Sequence, residues 1–185
     1  MAMTVNGLDG WSATSAAKSV VWSRSILLGT SLFCFLSERP HRHCETDFLF
    51  VHGSARNPLH EYVFPEDVYN LSKMTKIAAL IERYCFCGHT HVPGVFVQPE
   101  GAGGWQFLAP SEIHDFWRFD GRKAIVNVGS VGQQRDGDWR ACYVTVEGWD
   151  VTFHRVEYDV DATVAKIYAL PELDNFLGDR LREGR

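Results

Sequence analysis

Tyr84-Cys85-Phe86-Cys87-Gly88-His89-Thr90-His91 runs from a short apolar stretch straight into a glycine and two histidines one residue apart. The first four residues have the length and composition of a buried strand, and Gly88 stops it. Glycine lets the chain turn sharply off the strand and lets its backbone approach a bound ion. If the backbone beyond Gly88 is near-extended, the rings of His89 and His91 project to the same side. Neutral imidazole is the commonest metal ligand, and two on one loop can each serve a different ion when two metals lie about 3.5–4 Å apart. A bare pair at this spacing is also what two surface histidines look like, so its surroundings have to decide.

Two other segments repeat the pattern. Asp47-Phe48-Leu49-Phe50-Val51 ends in His52-Gly53-Ser54, and the strand read over residues 124–128 ends in Asn127-Val128-Gly129-Ser130. In layered α/β folds, ligands gather where loops leave the carboxyl ends of strands. The three loops are therefore expected on one edge, building one site with His52, His89 and His91 as candidate metal ligands. His41, His43, His60, His114 and His154 lack that setting and read as surface or packing residues. No serine–histidine–aspartate order, nucleophile elbow, phosphate-binding loop or dinucleotide fingerprint occurs. Gly101-Ala102-Gly103-Gly104 lacks the Lys-Ser/Thr ending and reads as a hairpin turn.

Outward from these motifs, residues 1–12 read as a loop and residues 12–36 as helical, ended by Pro40. Residues 65–83 read as a helix whose Val68, Leu71, Ile77, Leu80 and Ile81 line a buried face. Residues 92–107 suggest strand and turn, residues 141–146 and 150–158 an antiparallel pair around Glu147-Gly148, and residues 160–185 a helical tail. With no repeat or linker in sight, the expectation is one α/β domain over residues 1–185.

The chain has 185 residues, 45% hydrophobic and 22% charged, as in an ordinary soluble globular protein. Its net charge of −5 and its lack of a basic run argue against bulk nucleic-acid binding. A small phosphate substrate remains compatible, because a bound metal supplies positive charge locally. Five cysteines at irregular spacing are not a disulfide framework, which points to a reducing, cytoplasmic compartment. Cys85 and Cys87 read as buried strand residues. The apolar stretch over residues 26–36 is too short to cross a bilayer and reads as a buried helix or helix pair, with no membrane role.

Three segments now stand in order: Phe50-Val51-His52-Gly53-Ser54, Cys87-Gly88-His89-Thr90-His91-Val92-Pro93, and Asn127-Val128-Gly129-Ser130-Val131-Gly132-Gln133. Together they resemble the calcineurin-like metallophosphoesterases. The continuation through Arg135-Asp136-Gly137-Asp138 and Arg140-Ala141-Cys142-Tyr143 is similar to the compact bacterial and archaeal branch of small phosphodiesterases and phosphatases. The resemblance implies a four-layer α/β/β/α sandwich. It also implies a two-metal hydrolase in which a bridging hydroxide attacks phosphorus in line. His52 and His89 would bind one ion and His91 the other, the ions being manganese, iron, nickel or zinc. Asn127, Arg135 and Asp136 would orient ligands or substrate, the latter a phosphate-ester small molecule or nucleotide.

The same family carries Asp-x-His, Gly-Asp and Asn-His-Asp/Glu motifs upstream of the position of His52, and this sequence has none of them. Its acids before His52 are Asp9, Glu38, Glu45 and Asp47, its one asparagine there is Asn6, and no Asn-His pair occurs. The sequence therefore reads as the family fold without its first strands and helices, opening just after the third motif. Without the bridging aspartate, at most one divalent ion is expected, and the chain alone is expected to be inactive or unstable. Two alternatives stand beside this reading. One is a non-catalytic remnant that binds a partner or a single metal; the other is a mononuclear zinc hydrolase using His52, His89 and His91.

Overall fold

A computed structural model describes residues 15–101 and 104–185. The loop expected over residues 1–12 and the middle of the expected glycine turn lie outside the described residues. In chain order the helices are α1 (Ser15–Leu27), α2 (Ser31–Ser37), α3 (Leu71–Ala78), α4 (Val160–Tyr168) and α5 (Phe176–Glu183). The strands are β1 (Arg42–Glu45), β2 (Phe48–Val51), β3 (Tyr84–Cys87), β4 (Gly94–Val97), β5 (Gln106–Leu108), β6 (Phe116–Arg118), β7 (Ala124–Asn127), β8 (Ala141–Glu147) and β9 (Asp150–Val156). The result is the mixed α/β class expected from the sequence. The described residues divide into two compact units: one from residue 15 to 40 with 159–183, the other 41–158 with 184–185.

In the helical unit, the single stretch expected over residues 12–36 is two helices. Gly29 takes a left-handed φ of 82°, and the Thr30 side chain then accepts the Phe33 N–H as the cap of α2. No residue of α2 is buried, so the apolar stretch expected to be buried is exposed: Leu32 is 60% and Phe35 56% accessible. Apolar composition asks for burial, but a helix this short is covered only where another surface reaches it. The tail likewise splits, into α4 and α5, held by Tyr168 Oη donating to Asp179 and by Arg182 on Asp161 at 2.7 Å. No helix among the described residues is long and apolar enough to cross a membrane.

The second unit holds two sheets, ordered β1-β2-β3-β7-β4-β5 and β6-β9-β8. Strands β2, β3 and β7 run parallel, and every other pairing is antiparallel. β3 and β7 are buried at every position, which is why they read as unbroken apolar runs. Their alternation divides the core. Cys85, Cys87 and Ile125 join Leu49 and Phe96 against Met74, Ile77 and Ala78 of α3. Tyr84, Phe86 and Val126 face Cys142, Val151 and Phe153 of the second sheet. All five cysteines are free, with Cys85, Cys87 and Cys142 buried.

The helix expected over residues 65–83 is shorter. A 3₁₀ turn over Pro65–Tyr69 stops at Asn70, whose Oδ1 accepts the Lys73 N–H at 3.1 Å and restarts the chain as α3. Lys123 Nζ then donates to the carbonyls of Ala78 and Ile81 at 2.8 and 2.7 Å, satisfying acceptors at the end of α3. Strands β1 and β6 had no sequence signal. All four residues of β1 are exposed, so it carries no apolar alternation.

Beyond β7 the backbone passes through Gly129 at φ +76°, where a Cβ would lie 2.8 Å from Cys142 Sγ and 2.9 Å from its Cβ. Gly129→Ala is expected to lose about 1–3 kcal/mol through this overlap and the left-handed conformation. Gly132→Ala, with nothing within 4 Å of the added carbon, should unfold at the wild-type urea midpoint.

Candidate functional site

The parallel register of β2, β3 and β7 puts three carboxyl ends on one edge, as the sequence pattern predicts. The ladder continues into the loops: the Gly88 N–H donates to His52 O at 3.0 Å, and the Val128 N–H to Cys87 O at 2.9 Å. His52, His89 and His91 all line one cavity of about 510 Å³, together with Gly129, Ser130 and largely apolar side chains. No carboxylate is among the residues lining it.

The backbone carrying the histidine pair is not near-extended. His89 and His91 both lie in the left-handed region, at φ 65° and 62°, which non-glycine residues rarely occupy and which recurs at functional sites. Thr90 between them is fully buried, and its N–H closes onto Gly88 O at 2.7 Å. The cause is Asn127, which is likewise 0% exposed. Its Nδ2 donates to Gly88 O at 2.8 Å and to Thr90 Oγ1 at 2.7 Å, while its Oδ1 accepts the Gly129 N–H at 3.0 Å. One carboxamide thus draws Thr90 inward, and both neighbouring imidazoles are left facing the cavity. Each of these side-chain hydrogen bonds of Asn127 goes to the loops, so its part in the site is to hold them.

His52 Nε2 lies 2.9 Å from His89 Nδ1. Burial, then the nearby His60, lowers the pKa of His52; burial, then His52, lowers that of His89. His91 is brought down to about 4, first by burial and then by the Arg135 guanidinium. All three are neutral at pH 7 and keep a lone pair, the form a metal ion requires. His91 Nδ1 is buried without a hydrogen-bond partner, and so is Arg135 Nε. The Arg135 Nη2 donates to Gln133 Oε1 at 3.2 Å. Asp136, by contrast, is paired with Arg155. Of the histidines read as surface or packing residues, His154 bonds Thr145 at 2.8 Å away from the site. His60 is exposed but sits close enough to His52 and His89 to affect their charge.

The donor chemistry suits the imidazole ligands of a divalent ion: two converging nitrogens, and a third ring in the same cavity with an orphaned nitrogen. It does not complete a centre. Among the described residues, no group of three His, Cys, Asp or Glu side chains stands close enough to hold an ion. Two residues escaped the sequence reading: Thr90, recognisable only through its tie to Asn127, and Tyr62, whose ring stacks on His89 at 3.8 Å.

A crystal structure of a metallophosphoesterase from Sphaerobacter thermophilus superposes with a TM-score of 0.74 at 30% identity, over 89% of this chain and 65% of that one. The likeness supports a calcineurin-like metallophosphoesterase. An uncharacterized protein of Methanocaldococcus jannaschii, MJ0912, is 32% identical over 181 residues, covering 91% of this chain and 66% of that protein. A hypothetical protein of Pyrococcus horikoshii, PH1004, shares the fold with a TM-score of 0.68 at 17% identity, over 96% of this chain and 64% of that one. No family model matches the sequence. The chain thus spans just under two thirds of the length of the relatives it matches.

Asn127→Ala is expected to strand the Gly88 carbonyl and the Gly129 N–H, costing about 1–3 kcal/mol in urea unfolding. Acid should weaken the fold as well. Folded His91 takes its proton only near 4 instead of the ordinary 6.5, so the unfolded chain holds more protons in between. Stability is full above 6.5, declines as pH falls toward 4, and then levels. His91→Gln should flatten that part of the profile.

Proposed function

We propose that this chain serves metal-dependent hydrolysis of phosphoesters, with His52 and His89 as two ligands of a single divalent ion and His91 beside them in the same cavity, a set that the described residues alone do not close. The observation that carries the reading is the meeting of three neutral imidazoles and Arg135 at one edge of a metallophosphoesterase sheet. An ion held there supplies Lewis-acid polarisation of a phosphoryl oxygen and lowers the pKa of bound water. The chain's own residues do the rest. Asn127 fixes the loop that presents His89 and His91, and Arg135 offers an anion a guanidinium with no carboxylate partner among the described residues. The substrate is a phosphate-ester small molecule or nucleotide, which a chain of net charge −5 with one guanidinium beside His91 admits more readily than a nucleic-acid duplex. Manganese, iron, nickel and zinc all suit imidazole donors. The five free cysteines support a reducing, cytoplasmic setting.

A specific observation favours binding without turnover in this chain: no carboxylate among the described residues lines the cavity, so none supplies the bridging ligand of a second ion. Titration with cobalt(II), followed by visible absorption, is expected to show about one ion per chain, with affinity falling at least tenfold in His52→Ala and His89→Ala. Inorganic phosphate should perturb that spectrum, and less so in Arg135→Ala. Hydrolysis of bis-(p-nitrophenyl) phosphate with manganese should stay at background. Cobalt binding indifferent to the histidines would remove the metal reading. Manganese-dependent turnover abolished by His89→Ala would replace the one-ion reading with a complete catalyst.

A further inference from the structure

The loop from His52 to Tyr62 begins and ends at the same pair of imidazoles. It folds tightly around Gly53, where an added Cβ would lie 2.7 Å from Asn57 O and 2.9 Å from Glu61 O. Gly53 and Ser54 donate backbone N–H groups to the carbonyls of Pro58 and Asn57 at 2.6 and 3.0 Å. Glu61 is gripped by Ser54 Oγ and by the Arg56 guanidinium. From Tyr62 to Phe64 the chain alternates like a strand. Val63 is 2% exposed and belongs to the core beneath α3, while Tyr62 and Phe64 face the other way and stack on each other at 5.3 Å and 9°. Tyr62 in turn stacks on His89 at 3.8 Å and 14°, giving a ladder Phe64–Tyr62–His89.

This ladder is anchored in the core of its own unit. Lys73 on α3 donates from Nζ to Tyr62 O at 2.7 Å and pairs with Asp67. Asp67 Oδ2 also accepts the Phe64 N–H at 2.8 Å. Tyr62 is therefore held at its backbone and on its ring, although it is 40% accessible and contributes little to the core. His89 has the opposite character. Its backbone is left-handed and its ring is only partly buried; besides the Tyr62 face, the ring meets His52 Nε2 at 2.9 Å and the His60 backbone at its edge, neither of which fixes the plane as a stacked ring does.

We infer that Tyr62 is a positioning residue for His89: its ring fixes the plane of the imidazole so that Nδ1 points at His52 Nε2 and into the cavity. The inference rests on the reading of His89 as a cation ligand, where outer partners orient the ligand and hold its affinity. A flat aromatic face does this without a hydrogen bond, so the hydroxyl is dispensable and the ring is not.

The test uses the whole chain, with Tyr62→Ala, Tyr62→Phe and Tyr62→Leu, read in two ways. Long-range proton–nitrogen spectra of the metal-free imidazoles are expected to keep the wild-type His89 shifts in Tyr62→Phe and to move toward tautomer-averaged values in Tyr62→Ala. Cobalt(II) affinity is expected to fall about tenfold in Tyr62→Ala and to stay within about twofold of wild type in Tyr62→Phe. If backbone amide spectra show Tyr62→Ala unfolded, Tyr62→Leu keeps the bulk without the flat face and carries the same expectations. Unchanged His89 shifts in the folded Ala or Leu variant would overturn the inference. A wild-type chain that binds no cobalt would instead sink the functional reading, while the metal-free spectra still decide the role of Tyr62.

Discussion

The site depends on the parallel hydrogen-bond register of three strands. Because β2, β3 and β7 are paired in the same direction, their last residues fall level, and the backbone bonds run one step past the strands, from Gly88 to His52 and from Val128 to Cys87. A slip of one residue in any of these pairings would turn the core faces of β3 and β7 inside out. It would also carry His52 or the histidine pair to the wrong face. The buried side chains on both faces of β3 therefore protect the geometry of a site that Phe86 and Cys87 themselves help to line.

A second level of control is polar. The turn after β3 places two histidines in an unfavourable backbone region, and a single buried carboxamide offsets that cost with three hydrogen bonds. The same burial that shields Asn127 keeps the neighbouring imidazoles uncharged, and the Arg135 guanidinium reinforces this at His91. Three neutral imidazoles thus line one cavity, with the Arg135 guanidinium close enough to His91 to hold its proton off.

Much of this was legible in the sequence, for identifiable reasons. Tyr84–Cys87 could be read to the residue because a strand buried on both faces is apolar throughout and Gly88 ends it. The convergence of His52, His89 and Asn127 followed from a repeated strand-into-loop pattern. The helix over residues 65–83 was overestimated because its apolar spacing continues through Asn70, whose side chain restarts the helix rather than extending it. β1 is an edge strand with no buried residue and so left no pattern. The left-handed turns at His89 and His91 were invisible because Asn127, far along the chain, imposes them. Tyr62 was invisible for a similar reason, since its contact with His89 is made by a loop folded around Gly53.

The conformation of positions 89 and 91 also limits what can stand there. Left-handed backbone is tolerated by asparagine and aspartate far better than by valine, isoleucine or threonine. Single substitutions from nitrogen to oxygen donors are thus open to this loop with little backbone penalty, while β-branched replacements are closed. Exchange of that kind shifts preference from borderline transition metals toward harder cations. The turn that Asn127 enforces thereby narrows which side chains can present a donor atom to this cavity.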